Sequence, residues 1–571
     1  MSDLGIVGRQ NTKQSPEYTA WARRAESLQR RSSKEFSRAL DRAKKAVASG
    51  RPELAVGWCR YAASVAWFVN PGFFYCHEME QLLAEIGQKH LRPAPVPRPS
   101  AEAPRRFLHV MSTAFESGGH TRAVSRWIEI CAQHAYLERH SILISMQGDD
   151  PLPVWLRDSA QRTGGEFIEI PSGTSWLQMA AKIRSKALEF DAVVLHTHPN
   201  DPLPNLAFHD QAMPVLFFDH ADDAFVLGLE AAQVVAELRA VRIDFAARYG
   251  SPPAQKVLLP LPLLDDQYAL CGKSEARTKL GLPTDAVIAL TIGHKLYFTP
   301  IPGYSFAAVV QSLCAGNSRV LIVAVGLSES EPFPELAQSM GGRFMPVGRI
   351  TDRDRLELYY RAADVYMDAY PIGSGTAVLD AALHGLPVQR LFNPYERLMW
   401  SDDPGLDSVL RGDSGQDEYV ARVLEWLEWP EEKRLELGAC FRAAVLRDHC
   451  GASWKLKWLE PAVRALKAPS ATSRQRTDGE EYPSLMMAGF ESCGDWPAGM
   501  LVAWAALSGP LPLRIRLSGV LRSIKPLLFD TAGDRNFRKR LLMFMWLVAK
   551  CLPDPMRAPM RKIGRAVFKR I

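Results

Sequence analysis

Two clusters of histidine and aspartate stand directly after apolar runs of the sequence. The run AVVLH ends at His196 and leads to His198, and the run PVLFF leads to His220 and Asp222. Imidazole titrates near neutral pH and a neighbouring carboxylate can fix its tautomer, so these residue types suit proton transfer. We therefore predict His220 and Asp222 as candidate general bases, with His120 as a further candidate.

The same clusters allow two other interpretations. The side chains of His196, His198, His220 and Asp222 can converge on a metal ion, but no HExxH-like spacing accompanies them, and we predict no metal. Alternatively, the side chains cap the helices that follow and have a structural role.

A glycine pair lies between a predicted strand and a predicted helix. The segment FLHVMSTAFESGGHTR places Gly118 and Gly119 just before a helix that begins near Thr121. Glycines allow close backbone approach, and the N–H groups at a helix start attract anions. His120 and Arg122 can add contacts to a diphosphate or an anionic acceptor. The alternative is a tight turn without a ligand, and the absence of GxGxxG gives no support for nicotinamide binding.

A second glycine loop lies in the segment ADVYMDAYPIGSGTAVLDAALHGLP. Gly373, Ser374 and Gly375 precede a helix that starts at Thr376, so backbone N–H groups and two hydroxyls can hold an anion. Asp380 falls four residues after Thr376, on the same helical face, where a carboxylate can accept both hydroxyls of a ribose. The alternative is that Asp380 is a surface charge on an amphipathic helix.

The elements that position these residues are predicted from periodicity. Short β-branched runs alternate with amphipathic stretches, which is typical of parallel sheets with crossover helices. The predicted strands are Phe107–Met111, Ser141–Ser145, Ala192–His196, Val215–Phe218, Lys256–Leu259, Val287–Ile292, Val320–Val325, Phe344–Val347, Val365–Asp368 and Val388–Leu391. One of the predicted helices between them is Glu230–Ala240. Ligands of such sheets bind outside the carboxyl ends of the strands.

The fold class is accordingly α/β, with two Rossmann-like doubly wound domains. We predict a helical region over 1–91, with its third helix ending at Gly87, and a Pro-rich linker over 92–105. The first doubly wound domain spans 106–265 and the second 266–468. Residues 469–571 form a linker and a basic amphipathic tail.

Composition limits the classes of protein. Apolar residues make up 47% and charged residues 23% of the 571 residues, which is typical of a folded globular chain. No run of about 18 apolar residues predicts a membrane-spanning helix. The N-terminus lacks the layout of a secretion signal, and the nine cysteines include no CxxC pair. We predict a cytoplasmic protein with reduced thiols.

The charge is concentrated at the C-terminal end. Residues 514–571 contain 15 Lys and Arg against three Asp, within a chain of net charge +6. In a helix, Arg561, Arg565 and Lys569 share one stripe, as in helices that lie on an anionic membrane. We predict peripheral attachment to the inner membrane face. Solvated charge is the alternative, and nucleic acid is not predicted because no RNA-binding signature is present.

The second glycine segment resembles the nucleotide-sugar-binding segment of GT-B-fold glycosyltransferases. It is most similar to that of protein O-linked N-acetylglucosamine transferases and related family-4-like enzymes. Their stretch runs Asp-x-x-Pro, a short polar loop, Thr, Asp-Ala/Val and Gly-x-Pro. The matching residues are Asp368, Pro371, Gly375, Thr376, Asp380, Gly385 and Pro387. Many retaining members carry two glutamates eight residues apart, where this sequence has Ile372 and Asp380.

The resemblance covers about residues 105–450 and implies roles for the candidates above. Gly118-Gly119-His120 resembles the glycine loop that approaches the donor phosphates and the acceptor. Arg122 and His198 are predicted to contact the acceptor or the phosphates together with this loop. Lys295 resembles the basic residue that meets the donor diphosphate. Donor binding is implied for Lys295, Gly373, Ser374, Gly375, Thr376 and Asp380.

The implied activity is transfer of a hexosyl or N-acetylhexosaminyl group from a nucleotide-sugar to a lipid-linked or cell-surface glycan. Neither a cofactor nor a metal is expected. Two alternatives stay open. A non-hydrolysing nucleotide-sugar epimerase shares the architecture but needs no acceptor site, and a non-catalytic sugar-nucleotide-binding scaffold is compatible with Ile372.

Overall fold

The structure is a computed structural model. It describes residues 15–92, 105–116, 119–134, 137–147, 151–171, 173–221, 224–243, 254–265, 272–328, 333–392, 403–410 and 415–466. Gly118, Asp222 and the tail 469–571 lie outside the described residues, so the predictions made for them stay predictions. None of the described helices has both the length and the apolar composition that a membrane crossing requires.

Three helices open the chain: α1 (Pro16–Ala48), α2 (Pro52–Phe68) and α3 (His77–His90). The Ser15 hydroxyl caps α1 by accepting the backbone N–H of Tyr18 at 3.0 Å. Apolar side chains of all three helices share one buried cluster with Leu108, Leu195 and Phe217 of the first sheet. The helical region is therefore a layer of the first domain.

Helix α3 does not end at Gly87, contrary to the prediction. It continues to His90. A Cβ built on Gly87 would lie 2.5 Å from the carbonyl oxygen of Leu206. The glycine is therefore required by close packing against the neighbouring helix rather than by a helix stop.

The first domain is built on a seven-stranded, entirely parallel sheet in the order β3-β2-β1-β4-β5-β6-β7. Its strands are β1 (Arg106–Met111), β2 (Arg139–Ile144), β3 (Phe167–Glu169), β4 (Ala192–His196), β5 (Val215–Asp219), β6 (Val234–Glu237) and β7 (Gln255–Leu258). Its helices are α4 (Gly119–His134), α5 (Val154–Arg162), α6 (Trp176–Ala187) and α7 (Leu203–Ala207).

The prediction of a helix over Glu230–Ala240 is wrong. The segment holds a short 3₁₀ turn, Leu229–Ala231, and then strand β6, whose four residues are all buried. A fully buried strand reads as a continuous apolar run, which periodicity cannot distinguish from a buried helix.

The second domain has a five-stranded parallel sheet in the order β10-β9-β8-β11-β12. Its strands are β8 (Val287–Ile292), β9 (Val320–Val325), β10 (Phe344–Gly348), β11 (Val365–Met367) and β12 (Val388–Gln389). Its helices are α8 (Lys273–Leu280), α9 (Phe306–Gly316), α10 (Pro334–Ser339), α11 (Arg353–Ala362) and α12 (Ala377–Leu383). The predicted pair of doubly wound α/β domains is confirmed.

The end of the described chain returns to the first domain. After α13 (Gln416–Glu428) and α14 (Glu431–His449) come α15 (Gly451–Trp454), a π-helix (Lys455–Leu459) and α16 (Glu460–Ala465). Trp454 packs with Trp127 and Phe218 of the first domain, and its indole N–H donates to the carbonyl of Pro260 at 2.7 Å. This crossover joins the two domains a second time.

Candidate functional site

The two glycine loops meet across the gap between the domains. Gly119 begins α4, just after β1, while Thr376 lies just before α12, after β11. A Cβ built on Gly119 would lie 3.4 Å from the Thr376 hydroxyl oxygen. The carboxyl ends of both sheets therefore face the same gap, which is the expected place for a ligand.

The second loop is held by a buried ion pair. The Asp368 carboxylate accepts the backbone N–H of Ser374 at 2.9 Å and its hydroxyl at 2.6 Å. Arg390 donates from Nε to the other carboxylate oxygen at 2.6 Å. A Cβ on Gly373 would lie 2.9 Å from that same oxygen, so the loop needs glycine there. The Ser374 hydroxyl, which we predicted to donate to a phosphate, thus donates to the Asp368 carboxylate instead.

A cavity of about 300 Å³ lies between the domains. Helices α4, α11 and α12 form most of its wall, and α14 contributes one arginine. Its lining includes five arginines against three carboxylates, which leaves an excess of positive charge. The charged residues are Arg122, Arg126, Arg353, Arg361, Arg442, Asp265, Glu357 and Asp380.

The three carboxylates of this pocket each face an arginine. Asp380 pairs across the domains with Arg126, with 2.8 Å between carboxylate oxygen and guanidinium nitrogen. Asp265 pairs with Arg442 at 2.6 Å. The corresponding distance from Glu357 to Arg361 is 3.8 Å.

Arg122 is crowded by other positive groups. Burial lowers its pKa, and the neighbouring charges of Arg126 and Arg353 lower it further, against the opposing effect of Asp380. The contributions of Arg126 and Arg353, unlike that of burial, reflect positive charge close to Arg122. The arrangement suits an anion that brings additional negative charge.

One wall of the pocket is aromatic. The imidazole of His384 stacks on the phenol of Tyr360, with 4.7 Å between ring centroids and 14° between ring planes. His384 is fixed through both nitrogens, to the Asp380 carbonyl at 2.6 Å and to the Glu357 carboxylate. The pocket therefore combines a flat aromatic surface with arginines, a combination that suits a nucleotide.

Three of the predicted histidines form one cluster. The ring centroid of His120 lies 5.4 Å from that of His198 and 6.1 Å from that of His220. Burial lowers the pKa of all three, that of His198 to about 3. The three rings are therefore neutral at pH 7, each with an unprotonated nitrogen that can accept a proton, although the lowered pKa makes each ring a weaker base than free imidazole.

Hydrogen bonds fix the rings of this cluster. His120 Nε2–H donates to the Thr113 carbonyl at 3.0 Å, which leaves Nδ1 as the basic nitrogen. His198 Nε2 lies 3.1 Å from the Thr113 hydroxyl oxygen. His220 Nε2 lies 2.9 Å from His196 Nδ1, so its Nδ1 is the nitrogen left for a substrate.

Lys295 stands apart from the pocket lining. It begins a 3₁₀ turn, Lys295–Phe298, directly after β8. This turn borders the second loop, since the Ile372 N–H donates to the Tyr297 carbonyl at 3.2 Å. Burial is the main cause of the lowered pKa of the neighbouring His294, and the charge of Lys295 lowers that pKa further.

Potential metal ligands converge at one place among the described residues. Ligand atoms of Cys131, Glu138 and His140 lie within 4.8 Å of one another. Lys455 Nζ lies 2.9 Å from the Glu138 carboxylate and neutralises its charge. Of the four side chains weighed above as ligands, His196 and His220 instead hydrogen-bond each other through ring nitrogens.

Several site residues were missed in the sequence. Arg126 follows Arg122 by four positions, the spacing of one helical face, and this pattern could have identified it. Arg353 and Tyr360 lie on a helix that carries no glycine loop, so no local motif marks them. His109 and His140 lie inside apolar strands, where a buried polar residue is itself a signal.

Comparisons with models of known protein families and with curated proteins find no match. Solved structures to which this chain is similar include the Anabaena protein Alr3699/HepE in complex with UDP and glucose. It is 14% identical, with 62% of this chain and 99% of that chain covered and a TM-score of 0.47.

Two further solved structures are similar to this chain. One is a glycosyltransferase from Rickettsia africae, at 14% identity, 64% and 100% coverage and a TM-score of 0.47. The other is a mutant O-GlcNAc transferase from Thermobaculum terrenum, at 15% identity, 77% and 86% coverage and a TM-score of 0.44. With TM-scores below 0.5, these likenesses carry no argument about activity, which rests on the site itself.

Proposed function

We propose that this protein is a glycosyltransferase that moves a sugar from a nucleotide-sugar donor to an acceptor hydroxyl. The observation that carries the proposal is the arginine-rich pocket between two doubly wound domains, one helical turn from a cluster of neutral histidines. Arg122 lines the pocket and His120 belongs to the cluster, and both lie in the first turn of α4.

The pocket chemistry suits departure of a nucleoside diphosphate. Breaking the bond between sugar and diphosphate develops negative charge on the leaving oxygens, and fixed positive groups stabilise that charge. Arg122 and Arg353 are the proposed contacts to the diphosphate. Gly375 and Thr376 border the same gap, and Lys295 extends the positive charge along the second domain. Asp380 would have to exchange its Arg126 partner for the ribose hydroxyls.

The histidine cluster suits activation of the acceptor. A base must remove the proton of the attacking hydroxyl, and a buried neutral imidazole has a free nitrogen for it. His220 Nδ1 is our first candidate for this base and His120 Nδ1 the second. His198 borders both rings and is proposed to contact the acceptor.

The acceptor is proposed to be a lipid-linked or cell-surface glycan, with either a hexosyl or an N-acetylhexosaminyl group transferred. The basic stretch 514–571 supports this choice, because fifteen positive residues against three Asp suit attachment to the anionic inner face of a membrane. Neither a cofactor nor a nucleic acid enters the proposal.

The function is tested by incubating the full-length protein with a panel of nucleotide-sugars, with and without a membrane-lipid extract. Acceptor-dependent release of the nucleoside diphosphate is the expected result. An isomerised donor would instead identify an epimerase, and binding without turnover a scaffold.

The pocket itself is tested with Arg122→Gln. Loss of one charge-assisted hydrogen bond should weaken binding of uridine or guanosine diphosphate by about tenfold, measured by calorimetry. Arg157→Gln, on the exposed face of α5, is the control and should bind as the wild type does. Equal affinity of Arg122→Gln and wild type would rule out this pocket as the diphosphate site.

A further inference from the structure

Four histidine side chains form a continuous hydrogen-bonded chain through the first domain. His140 Nδ1 lies 2.9 Å from His109 Nε2, His109 Nδ1 lies 2.9 Å from His196 Nε2, and His196 Nδ1 lies 2.9 Å from His220 Nε2. Each link joins an Nδ1 to an Nε2, so the rings run head to tail. The chain connects the cleft, at His220, with the opposite end of the sheet.

The chain crosses the sheet diagonally. His140 is the second residue of β2, His109 lies in the middle of β1, His196 ends β4 and His220 directly follows β5. His109, His140 and His196 are at most 1% exposed. These imidazoles therefore hydrogen-bond to one another rather than to bulk water.

Aromatic side chains enclose the links. The ring of Phe107 stacks on His140 at 5.0 Å between centroids, and the edge of Trp127 meets His109 at 5.4 Å and His196 at 5.7 Å. Burial in these surroundings lowers the pKa of His109, His140 and His196. Each ring-to-ring contact at 2.9 Å needs one N–H donor and one unprotonated nitrogen, so the geometry itself fits a neutral chain with one N–H on each ring.

A neutral head-to-tail chain has only two ordered states. If every ring carries its proton on Nε2, His220 presents a basic Nδ1 to the cleft and His140 points an N–H away from the chain. If every ring carries it on Nδ1, His220 presents an N–H instead. A group that hydrogen-bonds His140 Nε2 therefore selects the state of His220, three rings away.

Glu138 is the carboxylate placed to act as that group. Its oxygen lies 3.4 Å from His140 Nε2, an ion-pair distance, and this nitrogen has no hydrogen-bond partner among the described residues. Lys455 holds the other carboxylate oxygen at 2.9 Å, which stabilises the ionised form. An ionised carboxylate only accepts hydrogen bonds, so it favours the state with the proton on Nε2 of His140. The Glu138 side chain is 21% exposed and reaches solvent.

We propose that Glu138 and the chain His140–His109–His196 hold His220 as a base and carry its proton from the cleft to solvent. The inference rests on the proposed function, in which His220 deprotonates the acceptor hydroxyl. Glu138 and the three inner histidines are positioning residues, since none of them touches the substrate.

The proton balance is complete. The acceptor O–H bond breaks and an Nδ1–H bond forms on His220. His220 then gives its Nε2 proton to Nδ1 of His196. In the same way His196 gives its Nε2 proton to Nδ1 of His109, and His109 gives its Nε2 proton to Nδ1 of His140. The last proton passes from His140 to Glu138, whose carboxylic acid returns it to water. This passage leaves every ring protonated on Nδ1. The basic form of His220 is restored after product release, when its Nδ1 proton passes to water in the cleft and a proton from solvent re-enters the chain through Glu138 and His140.

The tautomer of His220 is the direct readout and needs no substrate. In histidine-labelled full-length protein at mildly alkaline pH, NMR should show His220 with an unprotonated Nδ1 and a protonated Nε2, with the resonance assigned by its loss in His220→Asn. Glu138→Gln should populate the opposite tautomer, because an amide can donate to His140. Glu169→Gln, at the exposed last residue of β3, should leave the spectrum unchanged. A mixed tautomer in the wild type, or no change in Glu138→Gln, would overturn the proposal.

Kinetics test the transfer of the proton. His109→Phe interrupts the chain with a ring of similar size. It should lower kcat by about 100-fold, the size of a general-base effect, while the Kd for uridine diphosphate stays unchanged. A purely structural chain would lower thermal stability but leave the kcat of the folded fraction intact, and that result would refute the relay. If the wild type transfers no sugar, the proposed function fails, and the tautomer alone decides the role of the chain.

Discussion

One residue, Asp368, holds the second glycine loop through its buried pair with Arg390. Both side chains are at most 3% exposed, and Arg390 also reaches Asp403 at 3.2 Å. A buried charge without its partner is strongly destabilising, because it loses hydration without compensation. The conformation of the Gly373–Gly375 loop therefore depends on a carboxylate that need not touch any ligand.

Replacing that carboxylate is the test at the scale of one residue. We expect Asp368→Asn to lower the free energy of unfolding by up to about 3 kcal/mol, since the buried Arg390 loses one of its two carboxylate partners and keeps Asp403. Urea unfolding measures the change. The control, Asp158→Asn, alters an exposed carboxylate on α5 and should change stability by less than about 0.5 kcal/mol. Equal stability of the two variants would show that the loop does not depend on the pair.

At the scale of residues, the sequence pattern marked only some of the histidines that lie close together in the structure. His120, His198 and His220 were identified because they follow glycine loops or apolar strands, and the structure brings them together. His109 and His140 were missed because they lie within strands, where the local pattern indicates only burial. Their partners come from other strands, so their role depends on sheet order that local sequence does not define.

At the scale of elements, α3 is attached to the first domain by a buried carboxylate. Glu80 accepts the backbone N–H groups of Gly228 and Glu230, each at 2.8 Å, and the side-chain amide of Asn205 at 2.8 Å. These groups are all donors. The carboxylate thus satisfies buried N–H groups of a loop that lies about 150 residues further along the chain.

Glu80→Gln tests this attachment. The glutamine NH₂ group would face the N–H groups that the carboxylate now accepts, so that donors would oppose donors. We therefore expect a loss of about 1–3 kcal/mol in the free energy of unfolding. Glu78→Gln is the matched control, because Glu78 lies on the same helix and makes an exposed pair with Lys44. If chemical denaturation finds the two variants alike, Glu80 does not anchor α3.

Elements were predicted best where their pattern was local. Strands β4, β8 and β9 were predicted with their observed bounds, since a run of β-branched residues flanked by turn residues indicates a strand by itself. Strand β6 was predicted as a helix, and Gly87 as a helix end, because tertiary packing decides both. Periodicity in the sequence therefore does not determine either the strand type of β6 or the end of α3.

At the scale of the whole molecule, the two doubly wound domains followed from the alternation of strands and helices. Two features did not follow from it. The N-terminal helices complete the core of the first domain, and the chain returns there after α14. Both depend on contacts between residues hundreds of positions apart, as between Trp127 and Trp454, which no local pattern contains.

The inter-domain pocket is a property of this whole arrangement. Its arginines come from α4 in the first domain and from α11 and α14 in the second part of the chain. The Arg126–Asp380 pair bridges the domains at the same place. The diphosphate that we propose for this pocket would contact both domains at once.

The most direct measurement is a crystal structure of the full-length protein with bound uridine diphosphate. We expect diphosphate oxygens within about 2.7–3.2 Å of the guanidinium of Arg122 or Arg353, between α4, α11 and α12. The ribose should replace Arg126 as the partner of Asp380. A nucleotide bound outside this pocket, or with its phosphates turned away from both arginines, would contradict the account.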